Sequence, residues 1–99
     1  MGEREFLEVD PAGLHLPGSR RDGADPVKLQ RQFARFGSST IGMPPLEVSR
    51  GSDGELVIND GVTRATRIAR YAPTVPVTVE VIDELPVPVA GLPTVGEAL

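Results

Sequence analysis

Cysteine is absent from the 99 residues, which excludes disulfides, thiolate metal sites and a cysteine nucleophile. That absence fits a reducing compartment. One histidine, His15, is too few for a His-rich metal site. Tryptophan is missing and aromatics make up 4% of the chain, so the core must be aliphatic, built from Val, Leu, Ile and Ala. No apolar run approaches the length of a membrane span, and the N-terminus lacks the charged and apolar regions of a signal peptide. The expectation is a soluble, cytoplasmic chain with no membrane partner. What is present in quantity is Gly (11) and Pro (10), which implies many turns and few long elements. The length suits one domain with its own core.

The net charge of −4 argues against general nucleic-acid binding, which favours basic domains. Its distribution is uneven. Residues 61–70 hold Arg64, Arg67 and Arg70 and no acid, whereas residues 80–97 hold Glu80, Asp83, Glu84 and Glu97 and no base. A local basic patch on an acidic protein points to a compact anionic ligand rather than a long duplex.

Phe6–Val9 reads as a first strand, stopped by Asp10-Pro11. Residues 12–24 form a polar loop carrying Arg20 and Arg21, either solvated or functional. Asp25-Pro26 opens a helix expected over Pro26–Phe36, with Asp25 as cap and Pro26 at the first position. Leu29, Phe33 and Phe36 form its buried stripe, Lys28, Arg31 and Arg35 its solvated face, and Gly37 its end. Leu46-Glu47-Val48 alternates as a half-buried strand, and Gly51–Gly54 is a hairpin turn. A strand at 55–58 follows, then a helix to about Tyr71, then the longest strand over Val75–Ile82. The predicted core includes Leu29, Phe33, Val62, Ala65, Ile68, Val79 and Val81. The fold class this implies is α+β, a small mixed β-sheet with two main helices. The division is a domain at 5–84 and a Pro/Gly-rich C-terminal tail at 85–99, expected to be extended or disordered. Deleting the tail should then leave stability unchanged.

Everything turns on residues 56–69, read as strand, tight Gly turn and helix. Asp60 can cap the helix, and Gly61 permits close approach of backbone or ligand. Val62, Ala65, Ile68 and Ala69 point one way, and Arg64, Arg67 and Tyr71 another. A helix N-terminus exposes unpaired amides and partial positive charge, so Thr63 and Arg64 in its first turn suit a phosphate. The plain alternative has Arg64 pairing with an acid of the sheet such as Glu47 and holding the helix down.

Over roughly residues 5–83 the chain resembles the N-terminal domain shared by ParB partition proteins, ParB-like nucleases and sulfiredoxins. The resemblance rests on several features in order. They are the early strand with a loop Arg, the helix ending at Phe36-Gly37, the Pro-Pro-Leu-Glu-Val strand with its Asp-Gly turn, Ile58–Ala65, and the Val-rich strand at 77–82. It implies that the Gly-x-x-Arg turn binds nucleotide or nucleic-acid phosphate. By position, Gly61 supplies the turn, Thr63 a hydroxyl and Arg64 a phosphate contact, with Arg67 and the loop residues Arg20 or Arg21 in support. Asp60 is the metal candidate, for a Mg²⁺ accompanying the phosphates, or else a plain helix cap. Val62 stands where sulfiredoxins carry their reactive Cys and Thr63 where they carry His, which excludes that chemistry. The Glu and second Arg of the partition proteins' Gly-Glu-Arg-Arg form are absent, as is a following helix-turn-helix domain.

The leading expectation is a stand-alone ParB-like domain that binds a phosphate-bearing ligand. If it is an enzyme, it is a nuclease or nucleotide hydrolase, with charge stabilised by Arg64 and the helix N-terminus. The sequence identifies no general base, and Glu47 and Asp60 are guesses. The alternative is a non-enzymatic protein-interaction or regulatory module. A free nuclease should show a denser acidic cluster than the sequence carries.

Overall fold

The computed structural model describes residues 3–99. Four strands, β1 (Glu5–Val9), β2 (Leu46–Arg50), β3 (Leu56–Asp60) and β4 (Val77–Glu84), form one sheet in the order β1-β4-β2-β3. Two helices, α1 (Pro26–Phe36) and α2 (Val62–Tyr71), complete an α+β architecture. β1 pairs antiparallel with β4, β2 antiparallel with β3, and β2 parallel with β4, so the sheet is mixed. The parallel pair requires a long crossover, which β3 and α2 supply.

Each element follows from its residues. The Asp25 carboxylate accepts the amides of Val27 and Lys28, and Pro26 occupies the first helical position where its missing N–H costs nothing. Leu46 and Val48 face the core while Glu47 faces out, as period-two alternation demands. A bulge near Val48 then turns Ser49 inward as well, and Asn59 Nδ2 donates to its hydroxyl at 2.8 Å. The core is aliphatic: Leu14, Leu16, Leu46, Val48, Ile58, Ala65, Ile68, Ala69, Val77, Val79 and Val95 are its buried members.

Four expectations need correction. Phe33 is not core: it is 40% exposed and its ring lies against Tyr71, centroids 4.0 Å apart. The seam it was expected to fill is taken by Arg67, read as an outward residue but 2% exposed. The Arg67 guanidinium reaches beyond the end of α1, where Nη1 donates to Gly37 O and Ser39 O, both at 2.8 Å. The last strand begins at Val77, not Val75, because the chain turns at Thr74, whose φ is 77°.

The C-terminal segment is the fourth correction, and it is not loose. Val89 and Val95 are buried, and Val95 shares a cluster with Leu14 and Leu16. The His15 amide donates to Leu56 O and its carbonyl accepts the Ile58 amide on the free edge of β3, while Leu16 donates to Pro93 O and Leu14 O accepts the Val95 amide on the other side. The β3 edge therefore acquires a partner, which satisfies ladder groups that water would otherwise have to meet. The Asp53 carboxylate accepts the amides of Val89 and Ala90. Gly51 lies so close to Val89 that a Cβ there would stand 3.0 Å from a methyl group. The division at residue 84 is therefore not a boundary within the core.

Candidate functional site

β3 ends at Asp60, and the chain must reverse into α2 within one residue. Gly61 does this with φ at 114°, in the left-handed region that side chains disfavour. A Cβ at Gly61 would also meet Leu46 Cδ2 at 2.6 Å. Backbone and packing thus both require glycine here. Gly61 is the residue before the helix, and no side chain caps it. The Asp60 carboxylate, expected as a cap, instead pairs with Arg64 Nη2 at 3.2 Å. The first intrahelical bond runs from the Ala65 amide to Gly61 O. The amides of Val62, Thr63 and Arg64 donate to no described residue.

These amides open onto a cavity of about 430 Å³ between the 17–20 turn, α1 and the start of α2. Arg20 reaches it from the loop, Lys28 and Gln32 from one face of α1, and Asn59, Asp60, Gly61, Thr63 and Arg64 from the β3–α2 turn. Three cations face one acid, on a chain whose net charge is −4. Arg20 and Lys28 make no ion pair among the described residues. The arrangement offers an anion free amides, a hydroxyl, an ammonium and guanidinium groups from three separate elements.

The expected site residues divide. Arg20, Gly61, Thr63, Arg64 and Asp60 come together at this cavity, whereas Arg21 lines a separate hollow with Asp22 and Asp25. Arg67, expected among the phosphate contacts, is committed to the carbonyls of the 37–39 loop, and burial depresses the pKa of its guanidinium. Arg64 is partly committed. Its Nη1 donates to Pro44 O at 3.0 Å and its Nη2 to Asp60, not to Glu47. Lys28, Gln32, Ser19 and Asn59 were not expected. Lys28 sits in the capped first turn of α1, so its position beside the Asp25-Pro26 start was the signal available.

The acids do not assemble a metal cage. No group of three or more His, Cys, Asp or Glu side chains comes together among the described residues. Asp60 is the one carboxylate lining the cavity, is 72% exposed, and already faces Arg64. It does not fit a metal held by protein ligands alone. Glu47 is exposed and does not line the cavity. No described helix is long and apolar enough to cross a membrane. Comparison with family models, curated proteins and solved structures finds no match.

Proposed function

We propose that the protein binds a phosphate-bearing ligand, a nucleotide or a nucleic-acid terminus, in the cavity at the β3–α2 turn. The observation that carries this reading is the convergence of Arg20, Lys28 and Arg64 with three unbonded amides around a single acid. The amides of Val62, Thr63 and Arg64 and the Thr63 hydroxyl hold one phosphate, where the helix dipole adds to the attraction. Arg20 and Lys28 close over it from the loop and α1. Arg64 moves from Asp60 to the phosphate, trading one anion for another. Neither Arg21 nor Arg67 takes part. The resemblance of residues 5–83 to ParB/sulfiredoxin-like domains supports the reading, since their phosphate turn coincides with Gly61–Arg64.

The proposal stops at binding. The cavity holds a single carboxylate, Asp60, with no second acid beside it to divide the work of base and metal ligand. A Mg²⁺ carried in by a polyphosphate would find Asp60 as its single protein carboxylate. Thermal melting in pyrophosphate or ATP, with and without Mg²⁺ and against KCl of equal ionic strength, tests the reading. A ligand bound to the folded state alone stabilises it by about 2.7 kcal/mol at a hundredfold excess over Kd. Phosphate ligands should raise the midpoint of the parent and fail to do so for Arg20→Ala/Lys28→Ala. Equal shifts in KCl would contradict the proposal.

A further inference from the structure

Beside the phosphate cavity lies a second hollow of about 90 Å³, lined mainly by Phe36, Ile41, Met43 and Pro44, with Arg64 and Arg67 at its edge. Its surface is mostly apolar, and it has room for a single aliphatic side chain. Phe36 is 47% exposed and Ile41 92% exposed. The loop that presents Ile41 is pinned. Arg67 holds the carbonyls of Gly37 and Ser39, the Ser39 hydroxyl accepts the Ile41 amide, and the Met43 amide donates to Thr40 O. Ile41 is therefore held in water by bonds on both sides of it, at a hydrophobic cost that the loop's own bonding does not require. A pre-ordered apolar knob beside an apolar hollow loses little entropy on docking.

The charge around it states what docks there. Residues 26–46 carry Lys28, Arg31 and Arg35 and no acid, and residues 61–79 carry Arg64, Arg67 and Arg70 and no acid. Six of the chain's ten cations thus belong to the two helices flanking the hollow. Lys28, Arg31, Arg35 and Arg70 make no ion pair among the described residues. We infer that the face formed by α1, α2 and the 37–45 loop is a docking surface for an acidic segment of another protein. That segment places one aliphatic side chain in the Phe36–Met43 hollow and its carboxylates on the surrounding helix cations, Arg35 beside the Phe36 ring among them.

Stacked bases are the other occupant a basic, aromatic face can take, but the rings are already covered. The Phe36 ring lies under the guanidiniums of Arg35 and Arg67, at 5.3 and 5.4 Å, and the Phe33 ring lies against Tyr71. Rings so covered make a poor base platform. The inference does not depend on the phosphate cavity, since Arg20 and Thr63 play no part in it.

A randomised 12-residue peptide library displayed on phage and selected on the immobilised full chain tests it. The expected consensus is a run of Asp or Glu around one Leu, Ile, Val or Met. Replacing that residue by Ala in the synthetic peptide should weaken binding at least tenfold. Ile41→Asp and Arg35→Glu, both surface changes, should each do the same while leaving thermal melting and the pyrophosphate response unchanged. No enrichment, a basic consensus, affinity indifferent to Ile41→Asp, or tighter binding of a dT20 oligonucleotide than of any selected peptide would overturn the inference. So would self-association of the chain through the same residues, seen as a concentration-dependent mass.

Discussion

On the strand side of the molecule, Arg4 is held by Glu80, and Arg50 by Glu5 and Glu84. On the helix side, Arg20, Lys28, Arg31, Arg35 and Arg70 meet no carboxylate among the described residues. The strand cations lock neighbouring β-strands into register: Glu5 and Glu84 come from β1 and β4, and Arg50 comes from β2. Their partners respond accordingly. The Arg50 hydrogen bond draws the Glu5 carboxyl below its usual range, and the Arg4 bond does the same to Glu80. The helix cations have no such duty, so their charge is available to something that is not part of the fold. Arg67 and Arg64 mark the transition. Arg67 is wholly committed within the fold, to the Gly37 and Ser39 carbonyls, Gln32 and Met43, whereas Arg64 is shared between carbonyls and an exposed acid that a ligand can displace.

The largest effect should come from cutting away the segment that the committed groups hold. Deleting residues 86–99 removes two buried valines, Val89 and Val95, each worth roughly 1.5–3 kcal/mol. It also uncovers the edge beside His15. Urea titration should show a loss of about 3–6 kcal/mol, and a loss under about 1 kcal/mol would mean that the segment is dispensable.

Next in size is a contrast within α2. Arg67→Met removes the donor shared by the Gly37 and Ser39 carbonyls, and should cost about 1–3 kcal/mol by denaturant titration. Arg64→Met should cost less and should act mainly on anion binding. If the two cost the same, the distinction between committed and shared arginines is wrong.

The strand network should give the smallest effect and the plainest dependence on conditions. Glu5 and Glu80 have folded pKa values below their unfolded ones, so the stability they contribute is present at neutral pH. It is lost as pH falls below about 4 and passes through the folded values. Arg50→Ala should flatten that acid limb in a series of melts from pH 6 to pH 2. It should also matter less in 1 M salt, where exposed pairs are screened. An unchanged acid limb would remove these pairs from the account.

Much of the frame was legible because its signals are local. Asp25-Pro26 and Phe36-Gly37 bound α1 as expected, and the Gly61 turn starts α2 where the apolar period changes. What was not legible depends on which neighbour arrives first. Leu29, Phe33 and Phe36 share a helical stripe, but nothing local says that Arg67 will fill the seam and leave Phe33 stacked outside on Tyr71. Arg64, Arg67 and Arg70 look alike at three-residue spacing, and only the carbonyls beyond α1 distinguish the buried one. The C-terminal segment reads as punctuation because its order comes from Leu14 and Leu16, near the other end of the chain, and from Asp53, more than thirty residues earlier. Lys28 looked like one solvated cation among three until the 17–20 turn closed a cavity against it.

The central claim is that uncommitted cations and free amides make the cavity at the β3–α2 turn an anion site. Its most direct test is an NMR titration of the ¹⁵N-labelled chain with pyrophosphate at constant ionic strength. The amides of Val62, Thr63 and Arg64 should shift together and saturate, with Lys28 following and Arg70 still. In Arg20→Ala/Lys28→Ala the same amides should shift at least tenfold more weakly in affinity while the rest of the spectrum stays folded. Shifts spread evenly over Arg31, Arg35 and Arg70, or identical titrations of the two proteins, would contradict the claim.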